Sequence, residues 1–142
     1  MISETVSQSR QKSRPATDIL RIFVVDDHPL FRHGLISVLN EYPEFQVVGD
    51  AASSNEALAK IEQIRPDIVI MDIFMPQSDG IKSTNLIKQR LPKTEIIILT
   101  ISDNNELFMN AIKAGAKGYL LKGVGITEII EAIKQVARGE AT

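Results

Sequence analysis

Asp26 with Asp27, Asp72, Thr100 and Lys122 each close a short apolar run: Val24-Val25, Ile70-Met71, Ile98-Leu99 and Leu120-Leu121 respectively. If they meet, three carboxylates, a hydroxyl and an ammonium form a set with definite chemistry. Crowded carboxylates repel one another, so the group must either hold protons more tightly or recruit a cation. Mg²⁺ suits them best, because it takes few carboxylates and keeps its other positions for water and phosphate oxygens. An ionised carboxylate such as Asp72 can attack phosphorus and become an aspartyl phosphate. Phosphoryl transfer then asks the protein mainly for alignment and for neutralisation of the equatorial oxygens, which a metal, Lys122 and Thr100 can supply.

These residues converge only if the runs before them are parallel strands, whose C-terminal ends lie along one edge of a sheet. From Ile19 onward short apolar runs alternate with helical patterns, as in repeated βα units. Strands are predicted at Ile19–Val25, Phe45–Asp50, Asp67–Met71, Glu95–Thr100 and Gly118–Leu121. A first helix starts at Pro29, a residue tolerated at the first helical position, and places Leu30, Leu35, Val38 and Leu39 near the helical period. Ser53 and Glu56 form a capping box for a second helix, each side chain serving the other's backbone donor. A third follows Gly80 and stops before Pro92; a fourth, capped by Asp103 or Asn104, runs through Leu107, Phe108 and Ile112 to Gly115. The fifth spans Ile126 to Arg138, with Ile129, Ile130, Ile133 and Val136 on one face.

Right-handed crossovers leave few doubly wound orders, and a flavodoxin-like (βα)5 three-layer sandwich with sheet order 2-1-3-4-5 suits five short strands. The unbroken Ile68-Val69-Ile70-Met71 marks the central strand. In that order the switch point falls between strands one and three, where Asp26, Asp27 and Asp72 stand.

The 142 residues, 44% of them hydrophobic, suffice for one domain of ordinary size. A net charge of −2 gives no electrostatic footprint for nucleic acid, so any DNA contact is expected from a segment outside this sequence. No run approaches the roughly 18 apolar residues of a membrane span, nor does the N-terminus resemble a secretory signal. A cytoplasmic protein is expected. Cysteine is absent, which removes disulfides and thiolate metal sites. Met1 to Thr17 is rich in Ser, Gln, Arg and Lys and poor in bulky apolar side chains, so it reads as a flexible tail.

Singly, each chemical residue has a plain structural reading. An Asp after a strand is commonly a turn residue or helix cap, Thr100 is ordinary β-branched strand filler, and Lys122 is a solvated charge. Their joint placement on one sheet edge is what points to function. His28 and His33, five residues apart, lack helical ligand spacing and read as surface or packing residues, and Tyr119 reads as edge-strand packing.

The stretches Val24-Val25-Asp26-Asp27-His28-Pro29-Leu30-Phe31-Arg32, Asp72-Ile73-Phe74-Met75-Pro76 and Gly118-Tyr119-Leu120-Leu121-Lys122 resemble the receiver domain of bacterial two-component response regulators. They resemble in particular the subfamily whose output is a helix-turn-helix of the NarL, FixJ and LuxR type. The likeness covers about Ile19 to Gly139, giving a receiver at residues 18–139. It implies a signalling module, not an enzyme, in which Asp72 accepts phosphate from the phosphohistidine of a sensor histidine kinase, with small phosphodonors as substitutes. It implies that Asp26, Asp27, Asp72 and the Phe74 main-chain carbonyl hold Mg²⁺. Thr100 and Lys122 would engage the phosphoryl group, and Tyr119 would turn with Thr100 as the switch aromatic. Glu140–Thr142 would open a linker to a DNA-binding domain controlling transcription, and phosphorylation would drive homodimerisation.

The sequence departs from that pattern at Gly123, where the subfamily commonly has Asp, and at Phe74 and Ile101, whose bulk would hinder an attacking water and prolong the phosphorylated state. Other classes fit less well. A stand-alone receiver would share this site without a DNA-binding output. A haloacid-dehalogenase-type hydrolase carries its Asp nucleophile on the first strand, whereas Asp72 ends the third. A flavodoxin-like cofactor binder needs a Ser/Thr/Gly-rich phosphate loop where Asp26-Asp27-His28-Pro29 stands.

Overall fold

The computed structural model describes residues 19–73 and 79–141. The expectations for Met1 to Thr17, Phe74, Met75 and Thr142 lie outside the described residues. β1 (Leu20–Val25), β2 (Phe45–Ala51), β3 (Ile68–Asp72), β4 (Glu95–Thr100) and β5 (Gly118–Leu121) alternate with α1 (Pro29–Leu39), α2 (Ser54–Ile64), α3 (Gly80–Arg90), α4 (Asn105–Ala114) and α5 (Ile126–Ala137). The strands pair in parallel in the order β2-β1-β3-β4-β5, the doubly wound order the sequence pattern predicts. Among the described residues no helix is long and apolar enough to cross a membrane.

Period-two alternation divides the buried strand residues between two helical layers. Phe23, Val25, Val69, Met71, Ile96 and Ile98 face a cluster with Ala57 and Ile61 of α2, Ile87 of α3 and Ala111 of α4. Ile22, Val24, Ile68, Ile70, Ile97 and Leu99 face Leu35 and Leu39 of α1 and Ile129, Ile130 and Ile133 of α5. β3 is buried on both faces along its whole length, which explains why its sequence shows no polar alternation.

Local signals fix the helix ends. Asn104 Oδ1 accepts from the Glu106 and Leu107 amides, which settles the cap of α4 in favour of Asn104 over Asp103, and Gly115 ends the helix at a φ of +112°. Ser53 Oγ accepts from the Glu56 amide at 3.2 Å, but the Glu56 carboxylate reaches back one residue further than the capping-box reading expects, to the Ala52 amide at 3.1 Å. Asp79, not singled out from sequence, caps α3 by accepting from the Lys82 amide.

Two expected apolar faces are incomplete. Leu30 of α1 is 89% exposed, because at 3.6 residues per turn it lies across the helix from Leu39, and Phe31, four residues before Leu35 and eight before Leu39, packs on the buried face instead. Phe108 and Ile112 of α4 are partly exposed, leaving Ala111 as that helix's buried contact.

Candidate functional site

The C-terminal edge gathers residues from β1, β3, β4 and β5. Asp26 continues the ladder beyond β1, its amide donating to the Ala51 carbonyl, and the Lys122 amide donates to the Thr100 carbonyl just beyond β5. Alternation then sorts the side chains. Asp72 shares the parity of Ile68 and Ile70, and Lys122 that of Leu120, which packs with the α1/α5 layer. Thr100 shares the parity of Ile96 and Ile98, whose layer also receives Tyr119. The acid and the ammonium therefore meet on one side of the sheet, with the hydroxyl and the aromatic on the other.

Glycine lets the start of α3 lie close against Ile73, the residue after β3. A Cβ on Gly80 would stand 2.7 Å from the Ile73 Cα, so no other residue brings the start of α3 this near the residue after Asp72.

Asp26 and Asp72 are each 2% exposed. The Lys122 ammonium lies between them, 2.8 Å from Asp26 Oδ2 and 3.0 Å from Asp72 Oδ2. This is the cation that crowded carboxylates require, supplied by the protein. Burial pulls the Lys122 pKa down, but hydrogen bonds to Asp26 and Asp72 and their charges outweigh it, so the group is held above its ordinary value and stays charged at neutral pH. The Phe31 ring covers the ammonium at 4.6 Å from its centroid, adding a cation–π contact.

His28, read from sequence as a surface or packing residue, is exposed yet turns its ring into the cluster. Its Nδ1 lies 3.0 Å from Asp26 Oδ1, 3.2 Å from Asp27 Oδ1 and 3.1 Å from Lys122 Nζ. Its amide also donates to Asp26 Oδ1 at 2.8 Å. Asp26, Asp27, His28 and Asp72 each offer one ligand atom within 4.8 Å of the others. Pair spacing along a helix cannot find such a histidine, because the β1–α1 turn brings it into place; adjacency to the two acids was the available signal.

The donor set fits a hard divalent cation. Asp27 Oδ1 is buried without a hydrogen bond, with the His28 ring nitrogen 3.2 Å away as its near neighbour, and a carboxylate oxygen so placed is of the kind a metal satisfies. The fourth ligand implied by the resemblance, the Phe74 carbonyl, lies outside the described residues.

Thr100 is fully buried, and its Oγ1 accepts from the Ser102 amide at 3.3 Å, leaving the hydroxyl proton to donate elsewhere. The Tyr119 hydroxyl donates to the Ser102 carbonyl at 3.2 Å, so both side chains hold the same short loop. The Tyr119 ring packs edge-on against Phe108 of α4, with centroids 5.1 Å apart. Burial, then the charge of Asp103, pushes the Tyr119 hydroxyl pKa up, so it remains a donor. Ile101, expected to crowd the site, is largely solvent-exposed.

Replacing Asp27 with Asn is expected to raise the stability of the metal-free protein by about 1 kcal/mol, or roughly 3–5 °C in melting temperature, by relieving like-charge repulsion. The same change is expected to abolish further stabilisation by Mg²⁺. Melting curves in chelator and in Mg²⁺ check both effects; a fall in metal-free stability would contradict the repulsion argument.

The sequence model described as "Response regulator receiver domain" matches residues 22–134. Over 122 residues the chain is 39% identical to the transcriptional regulatory protein DegU of Brevibacillus brevis, covering 86% of this chain and 52% of the relative. It is 37% identical over 123 residues to the DNA-binding transcriptional activator DevR/DosR of Mycobacterium tuberculosis, covering 87% of this chain and 57% of that one. The chain thus spans a little over half the length of these curated relatives. Among solved structures, a LuxR-family two-component response regulator from Aurantimonas sp. SI85-9A1 superposes with a TM-score of 0.83 at 34% identity, covering 87% of this chain and 89% of that one. The receiver domain of the putative response regulator NarL from Mycobacterium tuberculosis gives a TM-score of 0.81 at 34% identity, covering 87% and 99%.

Proposed function

Because this chain belongs to the response regulator receiver domain family, we propose that Asp72 accepts a phosphoryl group from the phosphohistidine of a sensor histidine kinase, in a Mg²⁺-dependent reaction that switches the domain's surface. The observation that carries this reading is the pairing of a buried carboxylate at the end of the central strand with an ammonium 3.0 Å away, beside two further carboxylates. An Asp72 oxygen forms the new P–O bond as the donor's P–N bond breaks, and the leaving imidazole takes the electron pair and a proton. Asp26, Asp27 and Asp72 would hold Mg²⁺, which supplies charge neutralisation for the phosphoryl oxygens. Lys122 neutralises the acceptor before reaction and pairs with a phosphoryl oxygen after it.

Thr100 acts as the sensor. A phosphoryl group on Asp72 would project beyond the strand ends, where one of its oxygens can draw the Thr100 hydroxyl across the sheet edge, and movement of Thr100 is transmitted through the Ser102 loop to Tyr119 and its contact with Phe108. That path biases the surface of α4, β5 and α5, where Phe108, Met109 and Ile112 already expose apolar side chains to a partner or a second copy. The output is transcription, exerted in the cytoplasm through a helix-turn-helix domain joined beyond residue 139; the regulatory names of the half-matched relatives support it.

Incubation with acetyl phosphate and Mg²⁺ followed by intact-mass measurement tests the reading. One acid-labile phosphoryl group per chain is expected, dependent on Mg²⁺. Repeated turnover without a stable adduct would indicate a hydrolase instead.

Thr100→Ala is expected to leave phosphoryl uptake within about twofold while weakening the response, because one lost hydrogen bond of about 1 kcal/mol shifts a two-state ratio roughly fivefold. Amide spectra of phosphorylated parent and variant check this; identical spectral changes would remove Thr100 from the switch.

A further inference from the structure

Arg32, in the second turn of α1, spans two strands. Its Nη1 donates to the Asp26 carbonyl at 2.6 Å and its Nε to Asp50 Oδ2 at 2.9 Å. The Arg32 side chain is only 13% exposed, although its Asp50 partner is 41% exposed, so it is the guanidinium end of the clamp that is shielded from water. The carbonyl it grips belongs to the peptide unit that joins Asp26 to Asp27, and that unit moves as one plane. Holding it fixes ψ of Asp26 and φ of Asp27, two of the backbone torsions on which the placement of the two carboxylates depends. Asp50 is itself held, since it pairs with Val24 in the sheet and its carbonyl accepts from Lys60 Nζ of α2 at 3.1 Å.

We propose that Arg32 is a positioning residue for the metal site, its guanidinium pinning the peptide between Asp26 and Asp27 while Asp50 anchors the guanidinium from the neighbouring strand. The inference rests on the proposed role of these two acids in holding Mg²⁺. Arg suits the task because its rigid fork reaches a carbonyl and a carboxylate together, whereas an ammonium is a single point charge. Without the clamp each carboxylate samples other orientations, and the metal must organise its own ligands on binding.

The sign of the effect separates positioning from simple charge. A guanidinium near three carboxylates opposes a divalent cation electrostatically, so deleting it through charge alone would tighten Mg²⁺ binding. Deleting a positioning group weakens it.

Calorimetric titration of Mg²⁺ alone into the chain measures this, with melting in chelator as the control for folding. Arg32→Ala is expected to weaken Mg²⁺ binding about tenfold, the lower end of the cost of losing a partner that orients a metal ligand. Asp50→Ala, which leaves the bond to the Asp26 carbonyl in place, is expected to weaken it less. Phosphorylation by acetyl phosphate should slow in Arg32→Ala at low Mg²⁺ and recover when Mg²⁺ saturates, a split that a general loss of stability does not produce. Arg32→Lys keeps the charge and loses the fork, so it is expected to bind weakly as well and carries the test if the alanine variant does not fold. Unchanged or tighter Mg²⁺ binding in a folded Arg32 variant overturns the proposal alone. Absence of Mg²⁺ binding by the parent chain overturns the underlying site as well.

Discussion

Asp72→Asn is expected to take up no phosphoryl group from acetyl phosphate and Mg²⁺, a fall on the order of 10⁴-fold or more in rate, the scale of removing a covalent nucleophile. The amide is nearly isosteric, so the packing at the end of β3 is retained while the nucleophilic oxygen is lost. Neighbouring acids do not substitute. Asp26 has Lys122 at one oxygen and the His28 amide and ring at the other. Asp27 follows a different strand and lacks the short contact to Lys122 that Asp72 makes at 3.0 Å. The variant is also expected to melt no lower than the parent in chelator, because one charge leaves a cluster of like charges. Intact mass after incubation and a melting curve settle both points. A phosphoryl group retained by a folded Asp72→Asn would move the acceptor elsewhere and dismantle the assignment.

The sequence displays the strands and their order because each buried strand is a run of Ile, Val, Leu or Met whose length and spacing leave few parallel arrangements. Asp26, Asp72, Thr100 and Lys122 are legible for the same reason, since strand ends are set by the apolar runs before them. What stays hidden depends on turns. His28 enters the acidic cluster, Phe31 covers Lys122 and Arg32 reaches back to Asp26 because the β1–α1 turn folds the first turns of α1 over the sheet edge. No periodicity encodes that reversal. Leu30 is exposed because the buried face of α1 follows the spacing of Phe31, Leu35 and Leu39, across the helix from it, and the reach of Glu56 to Ala52 depends on backbone path beyond the capping motif.

Lys122→Met is expected to damage the domain in two separable ways. The side chain is 10% exposed and joins two carboxylates that are nearly buried, so its removal leaves those charges facing one another without the protein's own counter-ion. Breaking such an arrangement from one side costs about 3 kcal/mol, and methionine fills much of the vacated volume, so the loss reports charge more than packing. Mg²⁺ supplies a cation to the same carboxylates, so it is expected to restore much of the stability. The pH dependence has a definite sign. The folded-state pKa of Lys122 is raised above the ordinary 10.5, so its stabilising contribution is fully present below that value and is lost as pH rises through the raised pKa. The difference in stability between parent and variant is therefore expected to stay level from neutral pH to about pH 10 and to shrink above it. Phosphoryl uptake at saturating Mg²⁺ is expected to fall roughly 10²-fold, the scale of removing one preorganised donor from a developing charge. Denaturant titrations across pH with and without Mg²⁺, together with uptake rates, separate the stability effect from the chemical one. A variant as stable as the parent in chelator, and phosphorylated at the parent rate, would show that the ammonium between Asp26 and Asp72 neither compensates the cluster nor assists the transfer.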